Sequence, residues 1–282
     1  MTKLFDAKWK LFLSGAIFGL LAMLLAIMGN PGNMAICIAC FVRDMAGAMK
    51  LHSAEAVQYF RPEIVGFILG SFLISIATKE YKATAGSSPL IRFLLGMMMM
   101  IGALVFLGCP LRMLIRMSAG DLNAYVGLIG FAGGIRDLAL LKDASLISVL
   151  GGLFVVMLVY NIATGNFHLS FTGQPIAHAQ HLWNILGLYV VGFSAVLAGG
   201  CPFRQLILTG QGSCDSAVTF LGMLIGAAIA HNFGLASAAA KAATETEEAV
   251  AGGPSICGKV AVILCIIVLF IIACTQKRRT AK

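Results

Sequence analysis

The octapeptide Gly108-Cys109-Pro110-Leu111-Arg112-Met113-Leu114-Ile115 returns 92 positions later as Gly200-Cys201-Pro202-Phe203-Arg204-Gln205-Leu206-Ile207. Both copies fit G-C-P-x-R-x-L-I, and a carboxylate follows each, at Asp121 and Asp215. Proline is favoured at the first helical position because its missing N–H needs no partner there. Pro110 and Pro202 therefore start helices, with Cys109 and Cys201 at or beside the cap. A helix N-terminus offers free N–H groups and roughly half a positive charge, which favour anions and polarise a thiol. Arg112 and Arg204 add full charges, with Arg116 one turn beyond Arg112 on the same face. Each unit places a soft sulfur, an anion-friendly backbone and a guanidinium together, which suits a small anion carrying sulfur or selenium. A single Gly-Cys-Pro would read as a turn with a buried thiol; two copies in a matched frame favour function. The structural alternative for the arginines is an ion pair, with Asp121 and Asp215 as candidate partners.

Other residues are less specific. Cys37-Ile38-Ala39-Cys40-Phe41-Val42-Arg43-Asp44 holds one C-x-x-C. Zinc needs two further ligands at suitable spacing and none is near, so no metal is expected; a redox dithiol stays open, and a pore-lining arm is preferred. A faint echo aligns Gly32-Asn33-Met34 with Gly165-Asn166-Phe167 and so sets Cys37 against Ser170. Met97 to Met100 point around a whole helix turn and read as packing. His168, His178 and His181 read as loop residues with a proton-linked role left open. Cys257, Cys265 and Cys274 fall at or within the last apolar run and read as packing or lipid-facing, and Cys214 is undecided.

The chain that must position these residues has 282 residues, 59% apolar and 11% charged, with mean hydropathy +0.93. Soluble domains carry about 45–50% apolar and about 25% charged residues, so a soluble enzyme or a nucleic-acid module is excluded. The net charge of +8 reads as orientation of a membrane protein, and no nucleic-acid partner is expected. Apolar runs at 11–28, 63–78, 90–107, 122–135, 146–162, 182–198, 216–235 and 259–275 predict eight spans, the second and fourth short for a bilayer. The segments 111–117 and 203–209 suit re-entrant half-helices, tolerated where protein or a cavity covers them. The expected fold is an all-α polytopic membrane protein of eight or nine transmembrane helices with an inverted pseudo-two-fold repeat. Residues 1–144 form the first half-repeat, 145–235 the second, 236–258 a polar, Ala-rich, partly helical linker, and 259–282 the last span and basic tail. Lys3, Lys8, Lys10, Lys277, Arg278 and Arg279 place both termini in the cytoplasm, with the loops of Lys79, Lys82, Arg136 and Lys142 inside. The linker carrying Glu245, Glu247 and Glu248 is then outside.

The paired G-C-P-x-R units and the C-x-x-C-F-V-R-D arm resemble the YeeE/YedE family of bacterial inner-membrane proteins, above all its selenium-associated branch. The resemblance implies an hourglass-shaped helical transporter whose characterised members take up thiosulfate, with cysteines at the constrictions passing it along by S–H hydrogen bonds. By position, Cys109 and Cys201 match the two glycine-cysteine turns and Cys37 the first-arm cysteine. Ser170 stands where thiosulfate transporters carry a further cysteine, which leaves room for a selenium or other sulfur species.

The pore residues expected are thus Cys37, Cys40, Cys109, Pro110, Arg112, Ser170, Cys201, Pro202 and Arg204, with no catalytic residue and no cofactor. The expected partners are the bilayer, a small sulfur- or selenium-containing anion and a cytosolic sulfur-carrier protein. The alternative is a membrane-embedded sulfur or selenium transfer enzyme in which Cys109 or Cys201 carries a persulfide, and that requires a base beside the cysteine.

Overall fold

The computed structural model describes residues 2–30, 33–135, 144–241 and 250–275; side chains of residues 2–7 and 144–146 are not described. The described chain is helical: α1 (Thr2–Ile27), α2 (Ile38–Ala48), α3 (Pro62–Ala77), α4 (Pro89–Phe106), α5 (Pro110–Ser118), α6 (Leu122–Gly134), α7 (Ala144–Ala163), α8 (His181–Ala198), α9 (Pro202–Gly210), α10 (Cys214–Asn232) and α11 (Ile256–Thr275). Among the described residues six helical stretches are long and apolar enough to cross a membrane, and α6 and the Ile147–Ala163 part of α7 are shorter apolar helices. A helix forms at each of the eight expected apolar runs, and α5 and α9 are the short helices that the G-C-P-x-R units predict. The fold is that of an all-α polytopic membrane protein. Outward faces of α1, α3 and α11 expose Leu13, Leu24, Leu69, Leu73, Leu264 and Ile271, as bilayer contact requires. The core lies in α2, α4, α5 and α8.

The repeat is written into the packing. The helices α4, α5 and α6 begin at Pro89, Pro110 and Leu122, and α8, α9 and α10 begin 92 residues later at His181, Pro202 and Cys214. A methyl group on Gly130 would overlap the Ile185 carbonyl, and one on Gly222 would overlap that of Phe93. Gly134 meets Tyr189 as Gly226 meets Met97. All four contacts are related by that same shift. Because Phe93–Gly222 and Met97–Gly226 ascend together, α4 runs parallel to α10; Ile185–Gly130 and Tyr189–Gly134 make α6 parallel to α8. Glycines let these helices approach where lipid supplies no hydrophobic drive for association.

The match extends upstream to α3 and α7. Thr78 N–H donates to Ile74 O and Thr164 N–H to Tyr160 O, and the next residues, Lys79 and Gly165, both have φ near +60° to +70°. Thr84 then bridges to Ser213 and Ser170 to Asp121, both in parallel sense. This geometry corrects two expectations. Gly165-Asn166 corresponds to Lys79-Glu80, not to Gly32-Asn33, of which Gly32 lies outside the described residues. Ser170 therefore corresponds to Thr84, not to Cys37. The matched units run from α3 to α6 and from α7 to α10, with α1 and α2 preceding the first.

In the linker 236–258, Lys241 and Val250 pair antiparallel, exchanging N–H bonds of 2.9 and 3.0 Å, and its last residues open α11. Ala240 N–H also donates to Ala177 O at 2.7 Å, which ties the linker to the segment before α8. Arg136, Lys142, Glu245, Glu247, Glu248, Lys277, Arg278 and Arg279 lie outside the described residues.

Replacing Gly130 or Gly222 with alanine is expected to cost about 1–3 kcal/mol by forcing the paired helices apart. Gly151→Ala, with open space around it, should leave stability unchanged or slightly raised. Thermal unfolding in detergent checks both; equal Tm values for the three variants would contradict the close-packed repeat.

Candidate functional site

Both G-C-P turns are built alike. The helix before each ends in a left-handed residue, Leu107 (φ 64°) and Gly199 (φ 79°). Gly108 N–H then donates to Ala103 O at 2.8 Å and Gly200 N–H to Ala195 O at 2.7 Å. Cys109 and Cys201 follow as extended N-cap residues, with proline opening each half-helix. A methyl group on Gly108 or Gly200 would strike the Arg112 or Arg204 side chain, β-carbon included. Glycine is needed at both positions because the arginine folds back over its own turn.

The two turns differ in cover. Arg112 is 1% exposed, whereas Arg204 is exposed and Cys201 half-buried. Arg112 is enclosed by two chain segments. Its Nε donates to Asn33 O at 3.1 Å, Nη1 to Cys40 Sγ at 3.3 Å and Nη2 to Ile176 O at 3.4 Å. Asn33 (φ 61°) and Ile176 (φ 49°) both hold left-handed backbone, which is costly for a β-branched residue. Cys37 caps α2 by accepting from Cys40 N–H at 3.3 Å. Its thiol neighbours those of Cys40 and Cys109. The arm and the first turn thus bring Cys37, Cys40, Cys109 and Arg112 into one buried cluster.

The expected carboxylate partners go elsewhere. Asp121 binds Arg116 Nε at 2.6 Å with both side chains fully buried, and Asp215 lies 3.6 Å from Arg92. These two pairs do matched work. Arg116 Nη1 donates to Phe106 O at 3.1 Å, and Arg92 Nη1 donates to Ala198 O. Phe106 and Ala198 are the equivalent last residues of α4 and α8, so each arginine ties a G-C-P turn to the start of the following helix. Neither Arg112 nor Arg204 has an acidic partner within 4.0 Å among the described residues. Sequence spacing could not separate Arg112 from Arg116, because both lie on one face of α5. Arg92 carried no motif signal at all.

Ser170 is not in the cluster. Its backbone pairs with Asp121, at the far end of α5 from Cys109, and its hydroxyl donates to Thr172 O at 2.5 Å. The histidines do not converge on the thiols either. His178 accepts from Gln180 N–H at Nδ1 and donates from Nε2 to Val105 O at 2.9 Å; burial holds its imidazole below the usual pKa. His181 stacks edge-on against Phe171. Among the described residues, no three His, Cys, Asp or Glu side chains are grouped to hold a metal. Met98, Met99 and Met100 are core packing. Cys214, Cys257 and Cys274 are exposed and Cys265 is buried in α11.

Breaking the fully buried Arg116–Asp121 pair with Asp121→Asn is expected to destabilise by about 3–5 kcal/mol, because a buried charge is left unpaired. The half-exposed Asp215→Asn should cost under about 1 kcal/mol. A comparable loss of Tm in the two variants would contradict this ranking.

No significant similarity to a curated protein or to a solved structure is found. The model of a family described as sulphur transport matches residues 126–282. That match takes in Cys201 and Arg204 and begins after Cys109 and Arg112, which the internal repeat links to them. With more than half of its length matched, the chain belongs to the sulphur-transport family.

Proposed function

We propose that the chain is a permease for a small anion carrying sulfur or selenium, handed between thiols at two G-C-P-x-R turns that enter the membrane from opposite faces. The observation that carries this is Arg112, a fully buried guanidinium without a carboxylate partner among the described residues, whose side-chain partner is a thiol. A cation inside a membrane protein costs about 2.5–3.5 kcal/mol on insertion scales, and an entering anion completes its charge. Thiols hold such a solute weakly, and weak serial sites favour release over trapping.

The opposed entry is supported by helix direction. Successive spans alternate, so α4, the third, and α8, the sixth, run oppositely, while third and seventh or fourth and sixth run together. The parallel pairs α4–α10 and α6–α8 agree with this alternation. The covered Cys109 turn and the open Cys201 turn then represent one closed and one accessible station. In this reading the protein lies in a bacterial inner membrane with both termini cytoplasmic, and the open Cys201 turn faces the cytoplasm, where a sulfur-carrier protein would collect the anion. The substrate is thiosulfate or a selenium counterpart. Transport is favoured over thiol transfer because, among the described residues, the groups acting on Cys109 and Cys201 are thiols, a guanidinium and backbone N–H groups rather than a base.

The test is uptake of labelled thiosulfate, selenite and a reduced selenium species into proteoliposomes. Cys109→Ser should keep partial uptake, because a hydroxyl replaces the thiol as donor. Cys109→Ala and Arg112→Gln should lower it at least about tenfold, the cost of a lost hydrogen bond to a charge. Undiminished uptake by Arg112→Gln, or no uptake of any species by folded wild type, would overturn the proposal.

A further inference from the structure

Asn33 stands beside Arg112 with an unused hydrogen-bond donor. Its backbone carbonyl accepts from Arg112 Nε at 3.1 Å, which fixes the backbone of this residue against the guanidinium. Its amide Nδ2 is shielded from solvent and has no partner among the described residues. A buried polar group left unpaired costs about 1–3 kcal/mol, and such groups in native proteins call for an explanation. The backbone adds a second cost: φ is 61° at Asn33 and 34° at Ala35, two residues before Cys37. Asparagine tolerates left-handed backbone, but that tolerance alone does not require an amide, since glycine adopts it freely.

The neighbourhood has two chemically distinct ends. Cys37, Cys40 and Cys109 present soft sulfur. Arg112 presents hard N–H donors, and the carboxamide of Asn33, on the residue whose backbone carbonyl binds Arg112 Nε, supplies two more. A hydrogen chalcogenide such as hydrosulfide has a single soft centre and no oxygen for the amide to bind. An anion with a chalcogen at one end and oxygens at the other fills both.

We infer that Asn33 is a specificity-determining residue whose side-chain amide binds the oxygen end of a two-ended chalcogen oxyanion, with Arg112, while the thiols hold its sulfur or selenium end. This rests on the reading of the chain as a permease for such anions. It places discrimination against simple hydrogen chalcogenides in the segment before α2.

The experiment titrates the purified full chain with thiosulfate and, separately, with hydrosulfide, following the rise in unfolding temperature for wild type, Asn33→Gly and Asn33→Asp. Glycine and aspartate both accept the left-handed backbone, and the unliganded unfolding temperature reports whether each variant is folded. Asn33→Gly should weaken thiosulfate binding about 10–100-fold, as loss of a hydrogen bond to an ion does, and leave hydrosulfide binding unchanged. Asn33→Asp should abolish the thiosulfate response, because a carboxylate beside Arg112 takes the anion's place. Asn33→Gly binding thiosulfate as tightly as wild type, or losing both anions equally, overturns the role of Asn33 and leaves the permease reading standing. A folded wild type that responds to neither anion overturns the permease reading and this inference with it.

Discussion

A guanidinium sealed inside a membrane protein without a carboxylate is the constraint around which the rest of the structure is arranged. Arg112 is as buried as the core methionines, yet its bonds go to two backbone carbonyls and a thiol. The buried Asp121, five residues beyond Arg116, is committed to that arginine. Asp44, in the arm that carries Cys37 and Cys40, is likewise held by Arg43 and Arg61. Among the described residues the positive charge at the first G-C-P turn is thus left without a carboxylate, while Asp121 and Asp44 are engaged in holding the scaffold. Breaking even is the most a buried ion pair usually achieves, so the pairs at Asp121 and Asp44 are read as position-setting. Their effect is to fix where Arg112 and the thiols sit.

The repeat supplies two such turns with one set of backbone rules. A left-handed residue, a reversed N–H bond, an extended cysteine cap and a proline recur in both. The arginine that ties each turn down comes from a different place, Arg116 within the first unit and Arg92 across from the other. The likeness of the two turns has therefore been kept by asymmetric means. The cover differs for a reason visible in the chain: the stretch between Ser170 and His181 is longer than its counterpart between Thr84 and Pro89. Ile176 in that stretch closes over Arg112, whereas Arg204 is exposed.

Much of this was legible in the sequence. Apolar length revealed the eight helices at the expected runs, and Pro110 and Pro202 marked the half-helix starts, because both signals are local. The matched octapeptides pointed to Cys109, Cys201, Arg112 and Arg204 for the same reason. What failed were inferences from short or distant signals. The Gly-Asn echo is two residues long and matched Ser170 to Cys37, whereas the parallel bridges Ser170–Asp121 and Thr84–Ser213 make Thr84 its counterpart. Asp121 lay at a plausible spacing from both Arg112 and Arg116, and the choice between them depends on side-chain direction in α5. Ile176 and Arg92 act through backbone shape or across the repeat, and neither leaves a mark in residue spacing; Asn33 was noticed only as part of the Gly-Asn echo, not as a neighbour of Arg112.

The most direct test of the central claim is anomalous scattering at the selenium edge from crystals of the full chain soaked with selenosulfate, the selenium analogue of thiosulfate. The account predicts a selenium peak in contact with the sulfur of Cys37, Cys40 or Cys109 and with its oxygens toward Arg112, lost in Arg112→Gln. A protein that transports selenosulfate into liposomes but places no selenium at that cluster would contradict it.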